Sequence, residues 1–155
     1  MNGEHLFQTS MHLPLPREEV FPFFAEAGNL ERITPPELRF RITQAPEAMG
    51  EGALIEYRLR LFGVPFGWRT EIAVWDPPHR FVDQQLRGPY RLWHHTHTFT
   101  DEPAASGAPG TRIEDTVRYA LPLWPAGEIA HPVVRAQVER IFRYRERAIR
   151  TILTA

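Results

Sequence analysis

Two strand-like segments between Phe81 and Phe99, joined at Gly88-Pro89, constrain this chain more than any other stretch. Side chains two positions apart in a strand share a face, so one face of each segment carries polar residues framed by aromatic ones. The polar residues on these faces are Asp83, Gln85, His95 and His97. If the aromatic residues face a core, each polar group buried there without a partner costs roughly 1–3 kcal/mol. The sequence therefore requires that these groups bind one another, ordered water or a ligand.

The bulk composition limits the class of protein. With 155 residues the chain has the size of one domain, so residues 1–155 are expected to form a single domain that can bury about two thirds of its unfolded surface. A net charge of −1 gives no field that would attract nucleic acid or anionic lipid. The absence of cysteine excludes disulfides, thiolate nucleophiles, zinc fingers and iron–sulfur clusters.

Nothing in the sequence indicates a membrane span or a secretory leader. No run approaches ~18 apolar residues, and the first ten residues lack the basic-then-apolar order of a signal peptide. We therefore expect a cytoplasmic location without stable membrane insertion. A homodimer is left open.

Hydrophobic periodicity predicts an α+β chain with strand-like segments in its middle. The expected elements are a strand at His5–Leu13, a helix from Pro16 to Gly28, a short helix at Asn29–Ile33, strands at Leu38–Gln44, Ala53–Leu61 and Phe66–Trp75, the central pair, a strand at Thr111–Leu121 and a helix from about Glu128 to Leu153. In the Phe66–Trp75 strand, strict alternation assigns Ile72 and Val74 to one face and Trp75 to the other.

The last helix carries one residue that its pattern does not explain. Its apolar stripe runs from Val134 to Ile152, and Arg145 lies in the middle of that stripe. An unpaired guanidinium there would be strongly disfavoured. Two explanations are open: an internal ion pair with Asp83 or Asp115, or recognition of an anionic or carbonyl group of a ligand.

An antiparallel sheet of about six to seven strands with one dry face needs a cover, and the last helix is the one long amphipathic element that can supply it. A sheet curved around a helix leaves a space between them, which is the natural pocket.

The order of elements, together with its motifs, resembles the SRPBCC superfamily, also called START-like or the birch-pollen-allergen fold. More closely, it resembles an uncharacterised bacterial branch of ligand-binding SRPBCC proteins. The residues that carry the resemblance are Asn29-Leu30-Glu31-Arg32-Ile33-Thr34-Pro35, Trp68-Arg69-Thr70 with Ile72, Pro77-Pro78 with Phe81, Asp83 and Gln85, Gly88-Pro89-Tyr90 with Trp93, His95, His97 and Phe99, Gly110-Thr111, Asp115 with Val117 and Tyr119, and Phe142 with Tyr144-Arg145.

The resemblance implies a helix-grip fold with two short helices after the first strand and a hydrophobic-lined cavity under the C-terminal helix. Members of the superfamily bind lipids, sterols, polyketides, hormones or quinones, and some are aromatase/cyclases. Fold alone does not choose among these activities.

A small, largely hydrophobic molecule is the partner that we expect, without a cofactor. The candidate ligand-binding residues are Arg145, Asp83, Gln85, His95, His97, Asp115, Trp68, Trp93, Tyr57, Tyr119 and Phe23. The aromatic members of this set could equally be core. A metal held by the histidines and a carboxylate is possible in principle, but residues two apart in a strand are ~6.6 Å apart along the backbone, so we expect no metal.

Two alternatives to ligand binding remain at this point. A cyclase or dehydratase could use His95, His97, Asp83 and Asp115 as acid–base groups. An interaction module without a ligand would use the same polar network only for its architecture. A nucleophilic-serine mechanism finds little support, because neither Ser10 nor Ser106 lies in a strand–turn–helix elbow.

Overall fold

Seven strands and three helices make up the protein, as seen in a computed structural model that describes residues 3–154. In chain order they are β1 (Glu4–Leu13), α1 (Arg17–Phe24), α2 (Asn29–Arg32), β2 (Arg41–Gln44), β3 (Leu54–Leu61), β4 (Val64–Asp76), β5 (Arg80–Arg87), β6 (Leu92–Asp101), β7 (Thr111–Ala120) and α3 (His131–Leu153). Two 3₁₀ turns, Pro36–Leu38 and Ala126–Ala130, precede β2 and α3. None of the helices in residues 3–154 is long and apolar enough to cross a bilayer.

All seven strands belong to one antiparallel sheet in the order β1-β7-β6-β5-β4-β3-β2. Consecutive strands from β2 to β7 are neighbours, and β1 completes the sheet by pairing with β7 along its whole length, from Glu4↔Ala120 to Leu13↔Thr111. The curved sheet, the long C-terminal helix and the two short helices after β1 confirm the predicted helix-grip architecture.

The core consists of two hydrophobic clusters, both between the sheet and the helices. One contains Val117 and Tyr119 of β7 and Val138 and Phe142 of α3. The other contains α1, the ends of β5 and β6 nearest to it, and Ile149 of α3. Strand alternation therefore gives the sheet a continuous dry face, as the sequence predicts.

A β-bulge in β4 changes one predicted orientation. Ile72 pairs with Asp83 and Val74 pairs with Val82, so Ala73 is an extra residue in the ladder. A bulge shifts the alternation by one residue, and Trp75 consequently packs against Phe21 and Phe81 in the core. The strict alternation that placed Trp75 on the outer face was wrong.

Several element boundaries also differ from the sequence-based ones. The first helix ends at Phe24 rather than Gly28, and the Ala25 N–H bonds to the Pro22 carbonyl in a tight final turn. The predicted strand at Leu38–Gln44 begins only at Arg41, because Arg39 lies in the left-handed region at φ 48° after the 3₁₀ turn. The residues from Glu128 to Ala130 belong to a 3₁₀ turn instead of α3.

The connection from β7 to α3 depends on a glycine. The Gly127 N–H bonds to the Leu123 carbonyl at 2.9 Å, and a Cβ at position 127 would lie only 1.9 Å from the Pro122 carbonyl oxygen. We expect Gly127→Ala to displace this turn and to lower the free energy of unfolding by roughly 1–3 kcal/mol, as measured by urea denaturation.

Gly28→Ala is the matched control for that change. Gly28 has a right-handed helical backbone with open space around it, so alanine there should be neutral or stabilising by up to about 1 kcal/mol. Equal unfolding midpoints for the two alanine variants would contradict the close contact at Gly127.

Candidate functional site

Two aspartates and two histidines form a closed ring on the dry face of β5, β6 and β7. Asp83 pairs with His95 and His97 pairs with Asp115 in the strand register, which brings all four side chains together. The His95 Nε2–H donates to Asp115 Oδ1 at 2.8 Å, and the His97 Nε2–H donates to Asp83 Oδ2 at 2.5 Å. The other nitrogen of each imidazole faces the opposite carboxylate, at 3.5 Å for His95 Nδ1 and Asp83 Oδ2 and at 3.3 Å for His97 Nδ1 and Asp115 Oδ1.

The two imidazoles are held by stacking as well as by hydrogen bonds. Their ring centroids are 3.6 Å apart, and Phe81 stacks on the far side of His97 with centroids 3.9 Å apart. Phe142 of α3 meets the edge of His95 at 5.3 Å. Both rings are almost fully buried, and their orientation is fixed by neighbours on the sheet and on the helix.

Burial and the charges of neighbouring groups give the two histidines different pKa values. Burial lowers the pKa of His95, and the charge of His97 lowers it further, to about 4, despite the opposing pull of Asp83 and Asp115. Burial also disfavours the charged form of His97, but its contacts with Asp115 and Asp83 outweigh burial and raise its pKa above the ordinary value. His97 therefore keeps its proton to a higher pH than His95, and between the two pKa values the ring contains one imidazolium and one neutral imidazole.

The two carboxyls of the ring stay ionised. Burial alone would raise the pKa of each, but the two histidines and the positive charge of Arg145 hold the pKa of Asp83 and of Asp115 below the usual range. When His97 is protonated, the site, counting Arg145, has two negative and two positive charges and is electrically balanced.

Arg145 approaches the ring from α3 but does not join it. Among the described residues it forms no ion pair within 4.0 Å, and its buried Nε has no hydrogen-bond partner. Its guanidinium lies over the rings of Phe142 at 5.8 Å and Phe24 at 6.0 Å. The direct ion pair with Asp83 or Asp115, which was one explanation offered for this residue, is not formed.

A cavity lies between the ring, the sheet and α3. Its volume is about 140 Å³. Its polar wall consists mainly of Asp83, His95, His97, Thr70 and Arg145, and the exposed Glu26 beside α2 marks where it reaches the surface. Its apolar wall includes Phe23, Phe24, Leu38, Phe40, Ile55, Tyr57, Leu59, Leu61, Trp68, Trp93 and Ile141.

Three of the candidate residues lie outside this cavity. Asp115 lies behind the histidines and lines a small cleft beside α3. Gln85 accepts from the Tyr90 N–H at 3.1 Å and donates to the Tyr90 carbonyl at 2.7 Å, so it clamps the turn between β5 and β6. Tyr119 is fully buried, with its Oη 3.0 Å from His131 Nε2. The other eight candidates line the cavity.

The structure also adds residues that sequence reasoning missed. Thr70 is 4 % exposed and its Oγ1 lies 3.3 Å from the Tyr57 Oη, so it extends the polar wall. Its position between Trp68 and Ile72 in the alternating pattern was the available signal. Phe24, Phe40 and Ile141 complete the apolar wall, but nothing in their local sequence distinguishes a cavity from a packed core.

Asp83, His95 and His97 could in principle hold a metal ion, because each offers one ligand atom and these atoms lie within 4.8 Å of one another. The same atoms already take part in the Asp–His contacts of the ring. The two Nε2 groups are therefore hydrogen-bonded within the ring, whereas His97 Nδ1 has no hydrogen-bond partner among the described residues, and the absence of a metal stays a prediction.

An antiparallel sheet that grips one long helix and encloses a cavity with one polar wall defines a START-like, helix-grip fold. The chain belongs to the DUF8410 family, a domain of unknown function whose model matches residues 24–153. No curated protein matches the sequence.

Solved structures show the same fold at low sequence identity. Zhui aromatase/cyclase from Streptomyces sp. R1128 aligns with TM-score 0.73 and 15 % identity over 94 % of this chain and 91 % of its own. A START superfamily protein from Mycobacterium smegmatis gives 0.72 and 10 %, and TTHA0849 from Thermus thermophilus gives 0.70 and 19 %, each over 97 % of both chains. These likenesses confirm the predicted fold.

The charge states of the ring predict that stability falls on both sides of neutrality. The unfolded chain protonates His95 near pH 6.5 and the folded chain only near pH 4, so acidification across that range should cost up to about 3 kcal/mol. The raised pKa of His97 contributes stability below pH 6.5, and this stability is lost as the pH rises through the folded value. Denaturant titrations at acidic, neutral and alkaline pH measure both slopes.

His97→Gln should flatten the alkaline slope, because it removes the group that loses its proton there. His94→Gln is the control on the opposite face of β6 and should leave both slopes unchanged. A His97→Gln variant with the wild-type alkaline slope would show that His97 does not carry this dependence.

Proposed function

We propose that this protein binds a small, largely hydrophobic, ring-bearing molecule in the cavity between its sheet and α3. The observation that carries the proposal is that three cavity-lining residues have a buried nitrogen without a hydrogen-bond partner among the described residues: Trp68 Nε1, Arg145 Nε and His97 Nδ1. A buried donor left unsatisfied costs roughly 1–3 kcal/mol. A guest with suitable acceptor atoms would recover that energy.

The shape and composition of the wall support a guest with a flat ring. Tyr57 stacks near Trp68 with centroids 5.6 Å apart, and Trp93 meets Trp68 edge-on at 5.5 Å. Aromatic faces and edges arranged in this way favour an aromatic or polycyclic guest. Concave, mostly apolar sites with a few convergent polar groups are the usual form of small-molecule sites.

The polar part of recognition is assigned to Arg145 and Asp83. Arg145 can donate to a carbonyl, hydroxyl or carboxylate oxygen, and Asp83 can accept from a hydroxyl. The side chain of Asp83 is 19 % exposed, against 3–4 % for the two histidines. Because each imidazole nitrogen already faces a carboxylate, the histidines and Asp115 serve to hold Asp83 ionised and in place.

The enzymatic alternative is less well supported by this geometry. The names of the structural neighbours include an aromatase/cyclase and a START superfamily protein, and identities of 10–15 % carry only the fold to this chain. A cyclase or dehydratase using His95 or His97 as acid or base would first have to break the ring. Ligand binding needs no such rearrangement.

Arg145→Met tests the anchoring role. Two related probes separate the polar contact from the apolar cavity: 1-anilinonaphthalene-8-sulfonate, which carries an anionic group, and N-phenyl-1-naphthylamine, which lacks it. We expect the variant to fold and to bind the sulfonate roughly tenfold to a hundredfold more weakly, since a charge-assisted hydrogen bond contributes about 1.5–3 kcal/mol. Binding of the uncharged probe should persist. Fluorescence titration measures both affinities.

Arg143→Met is the matched control, because Arg143 lies two positions away on the exposed side of α3. Native mass spectrometry of the untagged wild-type protein as purified provides the independent test, through a co-purified small molecule. Unchanged sulfonate binding by Arg145→Met would remove Arg145 as the anchor. Failure of both probes to bind the wild type would argue against the cavity as a ligand site.

The charges of the site predict that the protein takes up a proton when it binds an anionic guest. His95 faces Asp83, Asp115 and His97, and Arg145 lies on the opposing helix. An added anion leaves the site with one excess negative charge, which favours protonation of His95 and so raises its pKa from about 4. We therefore expect binding of the sulfonate probe to strengthen as the pH falls from neutrality toward 5.

Isothermal titration calorimetry in buffers of different ionisation enthalpy measures that proton uptake directly. N-phenyl-1-naphthylamine should bind without it. Equal proton uptake for the two probes would show that the anionic group does not reach the charged wall.

A further inference from the structure

Large exposed hydrophobic side chains are concentrated at one end of the molecule. The antiparallel order brings the start of β1, the β3–β4 hairpin, the β5–β6 turn, the end of β7 and the start of α3 to this end. We define it by residues 4–6, 58–67, 86–92 and 118–135 and call it the apolar end. It holds eight of the nine large hydrophobic residues that are exposed in the described part of the chain: Leu6, Phe62, Val64, Leu86, Leu123, Trp124, Ile129 and Val133. Leu54 lies at the opposite end.

The segments of the apolar end meet at an apolar surface pocket. Phe62, Val64 and Phe66 of the hairpin, Pro89 of the β5–β6 turn, and Pro122 and Val134 of the β7–α3 segment line it together. Leu61 and Tyr90 line both this pocket and the cavity. These segments of the apolar end therefore form one surface together, and that surface adjoins the candidate ligand site.

Two of these exposed residues have a backbone conformation that is unfavourable for their large side chains. Phe62 and Leu123 have positive φ, 54° and 62°, a region that favours glycine and asparagine and is strained for bulky side chains. They are also 58 % and 82 % exposed. Neither backbone preference nor core packing accounts for a large apolar side chain at either position, so an external contact is the remaining physical reason.

Charge is distributed unevenly between this end and the rest of the chain. The apolar end contains six arginines and two glutamates, a net charge of +4, whereas the whole chain carries −1. The remaining residues therefore carry −5. Arg60, Arg87 and Arg118 of this end are exposed and form no ion pair within 4.0 Å with any described residue. The overall charge, which argued against attraction to anionic lipid, conceals this separation.

We propose that the apolar end docks on the surface of an anionic lipid bilayer. The exposed aromatic and aliphatic side chains enter the boundary between headgroups and acyl chains, and the unpaired arginines bind lipid phosphates. The net charge of −5 on the remaining residues faces away from such a surface, which orients the molecule. A second copy of the chain is disfavoured as the occupant, because two ends of charge +4 would meet.

Vesicle co-sedimentation with the full chain tests the proposal. Wild-type protein should sediment with equimolar phosphatidylcholine and phosphatidylglycerol and only weakly with phosphatidylcholine alone, and salt should reduce binding. Each of Arg60→Gln, Arg87→Gln and Arg118→Gln should weaken binding to the anionic vesicles roughly fivefold, which corresponds to about 1 kcal/mol. Equal binding to both vesicle types, or no binding to either, would overturn the proposal.

A double variant with asparagine at the two strained positions tests the proposal more stringently than the single arginine variants. Phe62→Asn with Leu123→Asn should keep or raise the unfolding temperature, because asparagine tolerates positive φ, and should weaken vesicle binding by more than about tenfold, since two apolar side chains are withdrawn from the lipid. Leu54→Asn at the opposite end is the matched control and should bind vesicles like the wild type. Unchanged binding by the double variant would overturn the proposal.

A fluorophore can report the orientation directly, because the chain contains no cysteine. A nitrobenzoxadiazole dye on Ile129→Cys should shift to the blue with anionic vesicles, and the same dye on Leu54→Cys should not. Equal shifts would contradict docking by the apolar end.

Analytical ultracentrifugation tests the alternative occupant. If the wild type dimerises and the asparagine double variant does not, the surface belongs to a second copy, and lipid docking is overturned. Because these measurements use no probe of the cavity, their outcome does not depend on whether the cavity binds a ligand.

Discussion

The ring of Asp83, His95, Asp115 and His97 is the constraint on which the rest of this site depends. It crosses the dry face of the sheet between two hydrophobic clusters, where unpaired polar groups are costly. Each carboxylate lies between two imidazoles and each imidazole between two carboxylates, so no single member can be removed without leaving a buried charge or donor unpaired. The ring therefore fixes the register of three strands as well as the polarity of one cavity wall.

Charge balance explains the position of Arg145. With His97 protonated, two ionised aspartates and one imidazolium leave one negative charge uncompensated, and the guanidinium on α3 supplies its counter-charge across the cavity. Because no direct ion pair forms, the attraction acts over a gap, and the donors of Arg145 keep capacity for another acceptor. A cation that balances the site from a distance is compatible with a guest between the two, whereas a closed ion pair would fill that space.

Alternation along the strands predicted the inward orientation of Asp83, His95, His97 and Asp115, and the helical period of the last helix predicted the inward position of Arg145. The helix-grip fold itself was implied by the resemblance to the SRPBCC superfamily. Alternation failed at Trp75, because a bulge at Ala73 adds one residue to the ladder and no strict period reveals it. It also grouped Gln85 and Tyr119 with the cavity residues, since a shared face does not show how far along the sheet a cavity extends. Net charge is limited for a similar reason: summing over the chain discards the location of each charge, which only the fold supplies.

The ring occupies β5 to β7, whereas the apolar wall opposite it comes largely from α1, the segment around Leu38 and Phe40, and β3. The polar members are locked together, whereas the apolar ones satisfy no polar group. Substitutions in the apolar wall can therefore reshape the cavity while the charged side remains intact. In a fold built on this plan, a few aliphatic and aromatic exchanges can change the shape of the cavity without any change in the ionic layer.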